Sequence, residues 1–188
     1  SLRFLILKKK KYKIERISGL PQKKVEPAEE DIKRIIKDKK RINLSKEIGK
    51  KEKLFDDEFI LPVDGRLSGV FGSQRILNSK PKRPHFGIDI AQKEGSPILA
   101  PSSGIVKLVD FDMFLTGNTI IVDHGLGLIS IFAHLKDIYV KEGQKVSIGQ
   151  KIGSVGKTGR ATGPHLHWGI YLKNKPVDPL SMTKSRFY

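Results

Sequence analysis

The stretch Gly163-Pro164-His165-Leu166-His167-Trp168 places two histidines one residue apart, after a Gly-Pro turn and at the start of an apolar run. The run continues through Ile170 and Leu172 and predicts a β-strand. In a strand, residues i and i+2 point to the same face, so the imidazoles of His165 and His167 project together. Such a pair can bind a metal ion, transfer a proton, or divide the two tasks.

A second pair of chemically active side chains lies upstream, in Pro84-His85-Phe86-Gly87-Ile88-Asp89. On a helix His85 and Asp89 would share a face, but the proline, the glycine and the β-like run after them favour a strand or loop. In a fully extended strand, at about 3.3 Å per residue, their Cα atoms would lie roughly 13 Å apart, too far for one ion. The chain must therefore bend, and Gly87 supplies a backbone that can. Taken alone, the motif also fits a structural role.

Two histidines and one carboxylate match the ligand set of a catalytic zinc site, which leaves the fourth tetrahedral position to water. Zinc lowers the pKa of that water and polarises a carbonyl. A neighbouring histidine that is not a ligand can then move a proton to the leaving amine. His134, which follows an apolar run, is a candidate for that task, with a core or turn role as the alternative. His124 lies in a hairpin-turn sequence, and we interpret it as structural.

The composition narrows the classes of partner. The chain has 36 basic and 20 acidic residues, a net charge of +16, which attracts nucleic acid, anionic lipid or an acidic cell-wall polymer. Aromatic residues make up only 7% and do not alternate with the basic residues as base-stacking platforms would, so nucleic-acid binding is the weaker hypothesis. The absence of cysteine excludes disulfides and thiolate zinc sites. The sequence contains no run of about 18 apolar residues, so no transmembrane helix is predicted.

The pattern of apolar, charged and turn-forming residues changes near residue 59. Beyond it, short β-like runs separated by Gly, Pro, Asn and Asp predict an all-β sheet or sandwich. Before it, residues 2–16 predict one or two strands. A basic amphipathic helix is predicted over 28–41, with acidic residues in its first turn and a stripe of Ile32, Ile35 and Ile36. Its lysine-rich face is interpreted as solvated. We therefore divide the chain into an N-terminal segment (1–58) ending in a charged linker (43–58), a β-domain (59–181) and a tail (182–188).

Residues 59–181 resemble the lysostaphin-type (LytM-like) zinc metallopeptidases of the Gram-negative exported type, which cut peptide cross-links in bacterial peptidoglycan. Several stretches carry the resemblance, in the family's order and spacing: Phe71-Gly72-Ser73-Gln74-Arg75, His85-Phe86-Gly87-Ile88-Asp89-Ile90-Ala91, Gly95-Ser96-Pro97-Ile98-Leu99-Ala100-Pro101, Gly104-Ile105-Val106, Asp123-His124-Gly125-Leu126-Gly127, Phe132-Ala133-His134-Leu135 and Gly159-Arg160-Ala161-Thr162-Gly163-Pro164-His165-Leu166-His167.

The resemblance implies a mainly β fold, an antiparallel β-sheet forming the floor of a groove (the duplicated hybrid motif). It implies one Zn²⁺ held by His85, Asp89 and His167, and two catalytic histidines that are not ligands, His134 and His165. It also implies that Arg75 and Asn78 line the substrate site. The expected substrate is peptidoglycan and the expected location is the periplasm or cell envelope, with the export signal and any membrane tether outside this sequence.

The resemblance leaves a second function open, that of a non-catalytic wall-binding or amidase-activating module. Relatives of that kind usually lack some ligands, whereas all five positions are filled here, so we expect a zinc endopeptidase. A regulatory or adaptor protein is a further expected partner. The bond that is cut, and whether residues 1–58 dock on the groove as an inhibitory arm, stay open.

Overall fold

The computed structural model describes residues 11–47, 49–56 and 58–183. Within these ranges the helices are α1 (Gln22–Val25) and α2 (Glu29–Ser45), with a 3-10 turn at Pro179–Met182. The strands are β1 (Ile14–Ile17), β2 (Arg66–Gly69), β3 (Gln74–Leu77), β4 (Lys80–Pro81), β5 (Ile88–Ala91), β6 (Pro97–Leu99), β7 (Gly104–Met113), β8 (Gly117–Asp123), β9 (Leu128–Ile138), β10 (Lys145–Val146), β11 (Lys151–Val155), β12 (His165–Leu172) and β13 (Lys175–Val177).

One antiparallel sheet dominates the molecule, with the strand order β10-β7-β8-β9-β12-β5-β2. β11 pairs with β6 and β9, and β13 pairs with β12. β9 and β12 occupy the middle of the sheet, so the strand that begins with His165 lies between β9 and β5. The mainly β, antiparallel fold expected from the short apolar runs is therefore confirmed.

Both faces of the central strands are buried. Ile120 and Val122 of β8 join the main core with Phe132 and Trp168, whereas Ile121 points to the opposite face and packs in a second cluster. Ile42 of α2 covers that second cluster. Since both faces are covered, these strands read as nearly continuous apolar runs and not as an alternating pattern.

Helix α2 lies against the β7–β8 hairpin. Asp38 accepts a hydrogen bond from the Phe114 backbone N–H at 2.8 Å, and Arg41 forms an ion pair with Asp110. The helix begins at Glu29 and runs to Ser45, four residues beyond the predicted end at 41.

The predicted apolar stripe of α2 is only partly correct. Ile35 is buried, but Ile32 and Ile36 are 44% and 61% exposed. The face turned towards the sheet instead runs through Ile35, Asp38 and Ile42, at the spacing of one and two helical turns.

The remaining N-terminal segment also packs on the β-domain. β1 pairs in parallel with β3, and Leu20 and Val25 form a small buried cluster with Leu77. The predicted strand residues 2–10 lie outside the described residues.

Residues 49–56, predicted as part of a linker, run along the β8–β9 turn. The Leu54 N–H donates to the His124 carbonyl at 2.9 Å, and Gly125 adopts a φ of +85°. A Cβ on Gly125 would lie only 2.0 Å from the Glu52 carbonyl oxygen. The apolar residues 59–63, one of the short β-like runs of the β-domain, contribute a bridge between Phe59 and Thr183 and no strand within the described ranges.

Within the described ranges, no helix combines the length and the apolar character needed to cross a bilayer.

Candidate metal centre and active-site cleft

Three side chains that the sequence predicts as metal ligands converge at the edge between β5 and β12. His85 precedes β5, Asp89 lies within it, and His167 is the register partner of Asp89 on β12. The His85 Nε2 atom lies 2.9 Å from His167 Nδ1, and Asp89 Oδ1 lies 3.1 Å from the first and 2.9 Å from the second. The structure thus brings together all three predicted ligands.

This triangle of donor atoms fits a tetrahedral zinc ion. Zinc–ligand bonds of about 2.0–2.1 Å imply ligand–ligand separations of about 3.3 Å, close to the observed edges. Two ring nitrogens and a carboxylate oxygen that all point at one another cannot be satisfied by protons alone, because each hydrogen bond needs one donor and one acceptor. A cation that is bound by one lone pair from each of the three atoms resolves this conflict. The donor set and its arrangement therefore suit the ion.

The close approach of β5 and β12 depends on Gly87. A Cβ at this position would lie 2.6 Å from the Trp168 carbonyl oxygen and 2.7 Å from the Cε1 atom of His167. The bend between His85 and Asp89 that the sequence required is present, since the two side chains meet at 3.1 Å. The structure adds a reason for the glycine, namely the space that His167 occupies.

Two of the three predicted ligands, His85 and Asp89, also contact groups on the side away from the triangle. The Nδ1 atom of His85 lies 3.2 Å from the Val70 carbonyl oxygen and 3.0 Å from the Nη2 atom of Arg75, and these two contacts orient the ring. Arg75 donates to Asp89 Oδ2 at 2.5 Å. Burial alone would raise the pKa of Asp89, but hydrogen bonds from His167 and His85 outweigh it and hold that pKa well below its usual range. Asp89 is therefore a carboxylate.

The two histidines predicted as catalytic lie beside the triad. The His134 ring centroid is 4.7 Å from that of His165 and 6.2 Å from that of His167. His134 Nδ1 donates to the Thr158 carbonyl at 2.8 Å, and His165 Nδ1 donates to the Gly163 carbonyl at 2.8 Å. Because Nδ1 is the donor in both rings, Nε2 carries the lone pair in the neutral form of each ring.

His134 is held neutral and in an uncommon backbone conformation. Burial, together with the nearby charges of His165 and His167, lowers its pKa from 6.5 to about 3. Its φ is +65°, a left-handed conformation that costs a non-glycine residue free energy and that clusters at functional sites. The ring is therefore available as a proton acceptor at neutral pH.

These residues line a cleft of about 700 Å³, together with Arg75 and Arg160. Asn78, predicted to line the substrate site, is not among the lining residues. Its side chain instead donates to the Leu20 carbonyl at 2.8 Å and accepts from the Leu20 N–H at 3.3 Å, at the turn between β3 and β4. Asn78 therefore anchors the N-terminal segment.

His124 lies apart from the cleft and is structural in its contacts. Its Nδ1 atom lies 2.8 Å from the Ser103 carbonyl and its Nε2 atom 2.8 Å from the Ser130 hydroxyl. Burial lowers its pKa from 6.5 to about 4.

Two contributors to the site carry no local signal in the sequence. Glu15 lies 60 residues from the Arg75 it contacts, and nothing local in the sequence marks it. The backbone carbonyl of Thr158 accepts a hydrogen bond from His134 Nδ1, a role that no side-chain pattern reveals.

Comparison with known proteins places this architecture among peptidases. A peptidoglycan DD-endopeptidase of Vibrio cholerae, ShyA, is 40% identical over 122 residues, which are 63% of this chain and 28% of that protein. The chain thus spans less than a third of the length of that relative.

Two solved structures share the fold. A zinc containing peptidase from Vibrio cholerae is 33% identical with a TM-score of 0.60, over 73% of this chain and 41% of that one. The catalytic domain of lysostaphin from Staphylococcus simulans is 29% identical with a TM-score of 0.57, over 64% of this chain and 93% of that one. Residues 83–179, which include His85, Asp89, His134, His165 and His167, match the model of Peptidase family M23, and the chain belongs to that family.

Proposed function

We propose that this chain is a zinc-dependent endopeptidase that hydrolyses a peptide amide of bacterial peptidoglycan. The observation that carries the proposal is the triangle of donor atoms from His85, Asp89 and His167, with edges of 2.9–3.1 Å. The membership of Peptidase family M23 and the likeness to a peptidoglycan DD-endopeptidase support the reaction and the substrate class.

The three ligands would hold the zinc ion at the floor of the cleft, with a coordination position left open. Zinc in such a site supplies a nucleophilic water at neutral pH and polarises the amide carbonyl. Arg75 contacts the carboxylate of Asp89, and the Val70 carbonyl contacts the ring of His85, so these two ligands are oriented by groups behind them.

His134 and His165 would perform the proton transfers. Hydrolysis adds the water oxygen to the carbonyl carbon, breaks the C–N bond and needs one proton delivered to the leaving nitrogen. In both rings Nδ1 makes the hydrogen bond that orients the ring, which leaves Nε2 available for proton transfer. One ring can therefore take the proton from the attacking water and return it to the amine. The low pKa of His134 ensures that it is in the accepting form.

The test uses purified peptidoglycan and mass spectrometry of the fragments that are released. We expect new peptide termini with the zinc-loaded protein, none after treatment with a chelator, and recovery when zinc is added back. Full activity in the chelated, zinc-free sample would overturn the proposal. Zinc bound without any release of fragments would favour the alternative, a wall-binding or amidase-activating module.

We further propose that the protein acts in the cell envelope, in the periplasm, where its substrate lies. The net charge of +16 supports this, because it favours association with an acidic wall polymer. Residues 59–181 are proposed as the catalytic unit, on which the N-terminal segment packs. Fractionation of the producing bacterium tests the location. Crosslinking in the same cells tests for a regulatory or adaptor partner.

A further inference from the structure

The backbone of Arg160 is held by close contacts, and Arg160 lines the same cleft as the proposed catalytic histidines His134 and His165. Its backbone N–H donates to the Leu115 carbonyl at 2.9 Å. The preceding Gly159 touches the backbone of Gly117 so closely that a Cβ would lie 2.4 Å from the Gly117 nitrogen. Since both glycines also have positive φ, +71° and +64°, this contact admits no larger residue.

The same loop orients His134. The Thr158 hydroxyl donates to the Leu135 carbonyl at 2.8 Å and accepts from the Asn118 N–H at 3.0 Å. The Thr158 carbonyl accepts a hydrogen bond from His134 Nδ1. The backbone that fixes a proposed catalytic ring therefore also fixes the root of Arg160, two residues later.

The guanidinium of Arg160 has no acidic partner among residues 11–47, 49–56 and 58–183. It is partly buried and lines the cleft. Its neighbour Arg75 is also a cation, but Arg75 is paired with Glu15 and Asp89. Burial and the charge of Arg75 both lower the pKa of Arg160. A guanidinium offers five N–H donors in a planar fork, and leaving them partly desolvated without an acceptor costs free energy.

The charged side chains that line the cleft with Arg160 are mostly cationic. The described rim and walls of the cleft carry further cations, among them Lys39, Arg66 and Arg83. Asp89 is the one acid among the described lining residues, and both of its oxygens are engaged by Arg75 and the two histidines. The cleft therefore offers an unpaired fork to an anionic ligand and no competing acid.

We propose that Arg160 binds a carboxylate of the substrate peptide, so that the site selects peptides with a free carboxylate near the scissile amide. This inference rests on the proposed function, because it assumes that a peptide occupies the cleft. A carboxylate matches the fork of an arginine with two parallel, charge-assisted hydrogen bonds. Arg160 would hold the peptide against the zinc site while His134 and His165 act on the amide.

The test compares the binding of two peptides, and mass spectrometry of each sample after titration checks that the peptide is still intact. One is a stem tetrapeptide of alanine, glutamate and diaminopimelate residues with free carboxylates, and the other is the same peptide with carboxamides. Isothermal titration calorimetry on the zinc-loaded protein measures both affinities. We expect the carboxylate peptide to bind at least tenfold more tightly, and Arg160→Gln to reduce this ratio at least fivefold. Arg160→Lys should keep an intermediate ratio, because it retains the charge and loses the fork.

Lys157→Gln is the matched control, since it removes one positive charge from the same loop outside the cleft. It should leave the ratio unchanged. An unaltered ratio in Arg160→Gln, an equal weakening of both peptides, or no preference in the original protein would overturn the inference. Digestion of peptidoglycan by the same samples separates the two proposals. Hydrolysis without the expected ratio removes only the carboxylate site, and the expected ratio without hydrolysis removes only the enzymatic function.

Discussion

Glu15 and Arg75 form an ion pair in which Glu15 Oε2 lies 3.2 Å from Arg75 Nε. The other carboxylate oxygen of Glu15 accepts a hydrogen bond from the Val70 N–H at 3.0 Å. Arg75 in turn contacts Asp89, and the Val70 carbonyl contacts His85. One residue of β1, outside the range that matches the family model, therefore supports two of the three proposed zinc ligands from behind.

Glu15→Gln should weaken zinc binding without preventing folding. The substitution keeps the shape of the side chain but removes the charge that holds Arg75, so Arg75 loses its fixed position against Asp89. Changes to groups behind metal ligands typically cost 10–100-fold in affinity, and for this more distant group we expect about three- to tenfold. Competition with a chromogenic chelator measures the affinity. Glu30→Gln, an exposed residue on α2, is the control, and equal affinities in all three proteins would contradict the prediction.

His134→Asn and His165→Ala should retain zinc and lose turnover. Neither ring belongs to the donor triangle, and general acid–base catalysis typically contributes 10²–10⁴-fold, so we expect kcat to fall by at least about a hundredfold. Asparagine is chosen for His134 because it tolerates a positive φ better than alanine does. Elemental analysis and peptide hydrolysis are the two readouts. Loss of zinc from either variant would show that its ring helps to hold the ion.

The buried His124 predicts how stability depends on pH. Its pKa is about 4 in the folded protein and about 6.5 when unfolded, so the unfolded chain binds the proton first as the pH falls. The folded state therefore loses stability between about pH 6.5 and pH 4, by about 3 kcal/mol for this one group. Denaturant unfolding at several pH values should show a shallower loss in His124→Gln. Parallel pH profiles of the two proteins would contradict the assignment.

Gly87→Ala should damage the zinc site and the fold together. The added methyl group would meet the Trp168 carbonyl and the His167 ring at 2.6–2.7 Å, so β12 must move away from the chain at Gly87. We expect zinc affinity to fall by at least tenfold and stability by about 1–3 kcal/mol, as for overpacking elsewhere. Gly163→Ala is the control for stability, because nothing lies within 4 Å of its added Cβ. A Gly87→Ala protein with unchanged stability and zinc affinity would show that the strands can separate at no cost.

The features that could be predicted from the sequence are those that residues close together along the chain determine. Turn residues between short apolar runs predicted the β-domain, and the i, i+2 spacing of His165 and His167 predicted that both rings face the same cleft. The bend between His85 and Asp89 followed from the length of an extended strand together with the assumption that both side chains reach one ion. Which of the histidines are ligands came from the resemblance and not from spacing, because two rings on one strand face are equivalent in sequence.

Other features depend on contacts between distant parts of the chain. The pairing of β1 with β3 brings Glu15 to Arg75 across 60 residues, and no local pattern encodes that distance. Helix α2 turns Ile42 towards the sheet because the β7–β8 hairpin binds Asp38 and Arg41, and the apolar stripe alone could not show this. Asn78 was expected at the substrate site, but the position of the N-terminal segment gives its amide a nearer partner in Leu20.

The zinc content of the purified protein and of three variants tests whether the donor triangle holds the ion. It is measured by elemental analysis after equilibration with zinc and gel filtration. The donor triangle predicts about one zinc ion per chain in the original protein and in His165→Ala. It predicts almost none in His85→Ala and His167→Ala, whose side chains each supply one corner. A protein that binds no zinc, or His85→Ala and His167→Ala proteins that both keep it, would show that the triangle does not hold the ion.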